Sequence, residues 1–134
     1  MHRKFTAVLL LAALAAAVVY AAEHARTEPL RSQPLAGIPN KVADMLTVEY
    51  APGGSTPAHR HNANVLVYVL EGALLMGVNG KEPVKVSAGQ TYYESPNDEH
   101  TVSRNASATE KAKFLVVLIH DQGVSTMQPA SEKK

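Results

Sequence analysis

From residue 44 onward the chain alternates short β-rich runs with clusters of Gly, Pro and Asn. Residues 45–50 alternate partly and stop at Pro52-Gly53-Gly54, and residues 64–70 and 73–78 flank Glu71-Gly72. Residues 83–87, 91–94, 101–104 and 114–120 complete the set. These runs have strand lengths and are rich in β-branched and aromatic residues, without the three-to-four spacing of a helix. Asn79-Gly80 is the strongest hairpin signal, because both residues tolerate the positive φ that a two-residue turn requires. Seven or eight short strands with no convincing helix predict an all-β barrel or sandwich.

The ends of the chain read differently. Met1-His2-Arg3-Lys4 is a basic start, residues 5–19 are almost unbroken apolar, and Val19-Tyr20-Ala21 offers small residues where a signal peptidase reads. The pattern predicts a signal peptide over 1–21 and a periplasmic or secreted mature protein. An uncleaved anchor is the alternative, although residues 5–22 are marginal for a bilayer core of about 30 Å. Residues 22–41 carry Pro29, Pro34 and Pro39 among mixed polar residues and predict an extended arm, whose Leu30, Leu35 and Ile38 can cover a sheet edge. The barrel is expected over 42–121, and residues 122–134 as a loose polar tail.

Composition narrows the function classes. A length of 134 residues without repeats suits one domain. The 13 basic and 12 acidic side chains form no basic patch interleaved with aromatics, which argues against nucleic acid. Removing residues 1–21 takes out Arg3 and Lys4, so 11 basic face 12 acidic residues, and no membrane contact is expected of the mature chain. There is no cysteine, so neither disulfides nor thiol chemistry is available. Stability must then come from the apolar core, a bound metal or a partner subunit. Residues 65–70 and 114–119 are apolar on both faces, more than a half-solvated strand needs, and a homodimer is the economical reading.

The candidate chemistry lies in Gly53-Gly54-Ser55-Thr56-Pro57-Ala58-His59-Arg60-His61. Two histidines two residues apart share one face of an extended strand and can grip one metal ion. The plain alternative is a pair of solvated or hydrogen-bonded imidazoles.

The stretch GGSTPAHRHNANVLVYVLEG resembles the first motif of the cupin superfamily: a glycine, five residues, His-x-His, and a strand closing in Glu-Gly. Gly53, His59, His61 and Gly72 fall in register. The stretch GQTYYESPNDEHTVSRN resembles the second motif, with Gly89, Pro96, His100 and Asn105 at its glycine, proline, histidine and asparagine. Its spacing departs by one extra residue before Pro96, one fewer between Pro96 and His100 and one extra between His100 and Asn105; the offsets around Pro96 cancel, so His100 keeps its distance from Gly89. The chain is thus similar to small exported single-barrel cupins of the type called quercetin-dioxygenase-like. The resemblance implies a jelly-roll barrel (a double-stranded β-helix) and a metal held by His59, His61 and His100. It also implies a departure, since the motif's glutamate ligand falls at Val65 and no carboxylate lies between His61 and Glu71.

Three neutral imidazoles suit Fe, Mn, Ni, Cu, Zn or Co. Without the glutamate the site keeps a double positive charge, which favours an anionic or chelating ligand. The compatible reaction is oxidation of a small chelating or aromatic molecule by a metal-dependent oxidoreductase of dioxygenase type. A zinc site would activate water instead. A non-catalytic cupin module that binds or senses a small ligand is the alternative, because fold alone confers no reaction. Among other polar residues, Glu94 reads either as a base or additional ligand or as an edge charge before Ser95-Pro96. Asn64 reads as a hydrogen-bond partner for a metal-bound water, Tyr92 and Tyr93 face opposite ways, and His120 stays outside the metal set.

Overall fold

The computed structural model describes residues 24–130 as ten strands, with no helix among the described residues. They are β1 (Ala25–Pro34), β2 (Lys41–Tyr50), β3 (His59–His61), β4 (Asn64–Glu71) and β5 (Ala73–Val78), followed by β6 (Val84–Ser87), β7 (Thr91–Glu94), β8 (Glu99–Asn105), β9 (Ala112–Asp121) and β10 (Met127–Pro129). The signal expected over 1–21 lies outside the described residues.

Two five-stranded sheets form, one ordered β1-β2-β9-β4-β7 and the other β10-β3-β8-β5-β6, with every pairing antiparallel. Successive strands mostly fall in opposite sheets, which is the winding of a jelly-roll barrel. Burial alternates along the long strands and shows which face is inside. β9 buries Ala112, Phe114, Val116 and Leu118 while the intervening residues stay part-exposed, and β4 buries Val65, Val67 and Val69. Leu74 and Met76 of β5 meet them from the other sheet, and Tyr50 closes the cluster with its ring 5.3 Å from that of Phe114.

The turns follow local chemistry. Asn79 and Gly80 adopt φ of 56° and 72°, and Lys81 N–H donates to Val78 C=O across them at 3.0 Å. Gly72 stands at φ 74°, and a Cβ there would lie 2.6 Å from the Lys111 carbonyl oxygen, so only glycine fits the β4–β5 turn. Asn105, the asparagine of the second motif, is buried. Its amide donates to the carbonyls of Ala51 (3.1 Å) and Glu110 (2.7 Å), and its Oδ1 accepts from Ser107 N–H (2.9 Å). It therefore staples two loops and does not reach toward the histidines.

The extended arm takes the form of a full strand, and the C-terminal segment is more ordered than its composition predicts. The expected arm contains β1, which pairs with the β2 edge while all ten of its side chains remain exposed. The segment expected as a loose tail contains β10, which pairs with β3 through Met127–His61, Gln128–Arg60 and Pro129–His59. Backbone ladders need no apolar alternation, so neither strand announces itself in the hydropathy pattern.

Candidate metal centre

The site is built where β3 and β8 meet. His59 pairs directly with His100 across the ladder, and Arg60 with Glu99, which are also joined by a 3.0 Å ion pair. The loop before β8 is fixed by Asp98, which accepts from Ser95 N–H at 2.9 Å and from the Asn79 amide at 2.8 Å. Those bonds, led by the Ser95 one, hold the Asp98 carboxyl below its usual range. His100 thus enters the barrel from a backbone tied at both sides.

The three histidines converge. The rings of His59 and His100 stack with centroids 4.9 Å apart, and His61 meets them edge-on at 4.7 and 5.6 Å. Hydrogen bonds assign two of the tautomers. His59 Nδ1 lies 2.7 Å from the Pro57 carbonyl and His61 Nδ1 lies 2.9 Å from the Thr126 carbonyl. A carbonyl only accepts, so each Nδ1 carries the proton and each Nε2 keeps a bare lone pair. These two Nε2 atoms face each other at 3.1 Å. Two lone pairs repel at that distance unless a cation lies between them, and about 2.9–3.4 Å is what two nitrogens span when they share one ion. The donor chemistry fits a divalent transition metal.

Glu94, on β7, completes the cluster. It is 2% exposed and its Oε2 touches His100 Nε2 and lies 3.9 Å from His61 Nε2. The contact with His100 is not aligned as a hydrogen bond: Glu94 Oε2 and both ring nitrogens of His100 are buried without a hydrogen-bond partner. The four side chains are gathered but do not stand in finished coordination geometry. Burial pushes the His59 and His61 imidazoles below the usual histidine value, against the opposing pull of the Pro57 and Thr126 carbonyls. Neutral rings are the form that binds metal.

Of the residues singled out in the sequence, His59, His61 and His100 come together. Glu94 is an inward group and not an edge charge, although β7 is an edge strand. Asn64 does not face the site: it accepts a 2.6 Å hydrogen bond from the Tyr93 hydroxyl, since Val65 takes the inward position beside it. His120 lies apart, with Nε2 2.7 Å from Asp44 and Nδ1 2.8 Å from its neighbour's carbonyl. The Thr126 carbonyl is a support that no side-chain pattern could have indicated.

A cavity of about 280 Å³ opens from the cluster. Its walls are mainly apolar, including Leu46, Val48, Val67, Phe114 and Val116. A short polar seam also lines it, where the Tyr50 hydroxyl contacts Thr56 Oγ1 and lies 3.0 Å from Ser103 Oγ. Burial raises the Tyr50 phenol above its usual value, so it stays protonated.

Comparison with known proteins places the fold. The model of the cupin domain matches residues 46–118, more than half of the chain. The chain belongs to the cupin family. A cupin-like protein from Thermotoga maritima superposes with a TM-score of 0.64 at 18% identity, covering 81% of this cupin and 77% of that chain. An oxalate oxidase in complex with the substrate analogue glycolate gives 0.59 at 23% identity, with 81% of this cupin covering 56% of that chain. A cupin barrel-domain protein from Leptotrichia buccalis gives 0.56 at 27% identity, over 71% of this cupin and 40% of that chain. This cupin thus spans little more than half of the oxalate oxidase and less than half of the Leptotrichia protein. No curated protein matches its sequence.

Proposed function

We propose that this cupin is an exported metalloprotein that acts as a metal-dependent oxidoreductase of dioxygenase type on a small chelating or aromatic molecule. One observation carries the metal: the bare Nε2 lone pairs of His59 and His61 face each other at 3.1 Å, each Nδ1 proton being engaged by a carbonyl. His59, His61 and His100 hold the ion, and a bound Fe, Mn, Ni, Cu, Zn or Co supplies Lewis acidity together with open positions for a ligand.

The chain's own residues set the substrate class. At about 280 Å³ the cavity lies at the lower end of small-molecule sites, which favours a ligand of one or two rings or a short chain. Apolar walls suit the hydrophobic body of such a ligand, and the Tyr50, Thr56 and Ser103 hydroxyls offer hydrogen bonds to a polar edge. The test is O₂ consumption by tag-free protein reconstituted separately with Fe(II), Mn(II), Ni(II) and Cu(II), screened against catechols, flavonols, diketones and thiols. Uptake that needs both metal and one substrate class supports the oxidoreductase. Stoichiometric metal with no turnover of any class supports the non-catalytic binding or sensing module.

A further inference from the structure

The first motif lacks its glutamate, and Val65 stands in that position. Across the β4–β7 ladder Val65 pairs directly with Glu94. Residues directly opposite in an antiparallel pair project on the same side with Cβ atoms about 4.5–5.5 Å apart. Both side chains are buried and both line the cavity. A carboxylate at 94 therefore enters the same space as one at 65, one strand over.

We propose that Glu94 is the fourth protein ligand of the ion, so that the carboxylate absent from the first motif is supplied by the neighbouring strand. This rests on the metal reading above. Three observations converge on it. Glu94 is 2% exposed, and among the described residues its ionic contacts are His100 and His61, with no lysine or arginine. Its Oε2 has no hydrogen-bond donor, and neither nitrogen of His100 has a partner. A buried carboxylate without a cation is strongly unfavourable, and the position that would balance it is the one the three imidazoles surround. The oxygen also lies beside that position, touching His100 Nε2 and 3.9 Å from His61 Nε2. A consequence follows for ligand choice. One carboxylate reduces the charge of a divalent site from two to one, so the pull on anionic ligands is weaker than three histidines alone would give.

The test is Co(II) binding to the mature chain by titration calorimetry and visible absorption, comparing wild type with Glu94→Gln, Glu94→Ala and the transposed pair Val65→Glu/Glu94→Val. Both single variants are expected to lose about 100-fold or more in affinity and to shift the cobalt spectrum. The transposed pair, which returns the carboxylate to the position of the family motif, is expected to recover to within about tenfold of wild type. Wild-type affinity and an unchanged spectrum in Glu94→Gln overturn the proposal while leaving the three-histidine site standing, and so does Glu94→Gln that keeps its cobalt but loses turnover, which makes Glu94 a base. A wild-type chain that binds no cobalt or other divalent metal overturns the metal reading itself. If the single variants do not fold, the transposed pair decides: recovered affinity supports the proposal, and failure to bind contradicts it.

Discussion

The Nδ1 proton of His61 is held by the backbone carbonyl of Thr126, 65 residues away, at 2.9 Å. The same carbonyl accepts from Asn62 N–H, and the Asn62 amide donates to Ser125 C=O at 3.0 Å. A polar segment outside both motifs thus sets the tautomer and orientation of a proposed metal ligand. Deleting residues 124–134 removes this support and the β10 ladder but leaves the core cluster intact. We expect a folded barrel with metal affinity about 10–100-fold weaker. Calorimetric titration of the truncated chain checks this, and unchanged affinity would show that the strap is dispensable.

Burial lowers the His59 and His61 values, and that sign has a consequence for the metal-free protein. Between the depressed folded values and about 6.5 the unfolded chain binds protons that the folded chain does not. Stability contributed by these neutral rings is therefore present above about pH 6.5 and declines as pH falls toward the folded values. Thermal melts of metal-free protein are expected to show a lower Tm at pH 5.5 than at pH 7.5. Metal widens the gap at the upper pH, because it binds only the neutral rings. A Tm that rises on acidification through this window contradicts the assignment.

Asn105 serves the scaffold. Its side chain bonds Ala51, Glu110 and Ser107 at once, so Asn105→Ala leaves three part-buried backbone groups without this partner. We expect a loss of about 2–4 kcal/mol from these groups together. Urea unfolding of the metal-free variant measures it, and metal stoichiometry of the folded fraction is expected to stay that of wild type.

A row of apolar side chains crosses the outer face of one sheet in register, Met45–Val117–Leu66–Tyr93, spanning β2, β9, β4 and β7. Tyr68 and Leu70 extend the exposed patch along β4. A second copy of the chain presenting the same row is the occupant we expect, since an isologous contact needs only one such surface. Sedimentation of the chain from residue 22 at micromolar concentration should give a dimer, and Leu66→Glu should give a monomer with unchanged metal content. A wild-type monomer would contradict the pairing.

Much of the barrel is legible in the sequence because its strands are short β-rich runs bounded by Gly, Pro and Asn turns. Residues 64–70, 73–78, 91–94 and 114–120 announce β4, β5, β7 and β9 to within a residue or two. β1 is legible only as an extended arm and β10 not at all, since they attach through backbone bonds and bury no apolar row. The same division applies at the site. His59 and His61 share a face by strand period, and His100 is placed opposite by the motif, which its direct pairing with His59 explains. The role of Glu94 depends on the β4–β7 register that sets it against Val65, and spacing along the chain carries no trace of that register.

The central claim is that one divalent metal is held by His59, His61 and His100. Its most direct test is the metal content of tag-free protein, wild type against His100→Ala, by elemental analysis after gel filtration at pH 7.5. The account predicts about one transition-metal ion per wild-type chain. In the variant the affinity should drop by more than the about 10–100-fold that a lost supporting hydrogen bond costs, leaving the protein metal-free after filtration. Wild-type protein without metal, or full occupancy retained by His100→Ala, would contradict it.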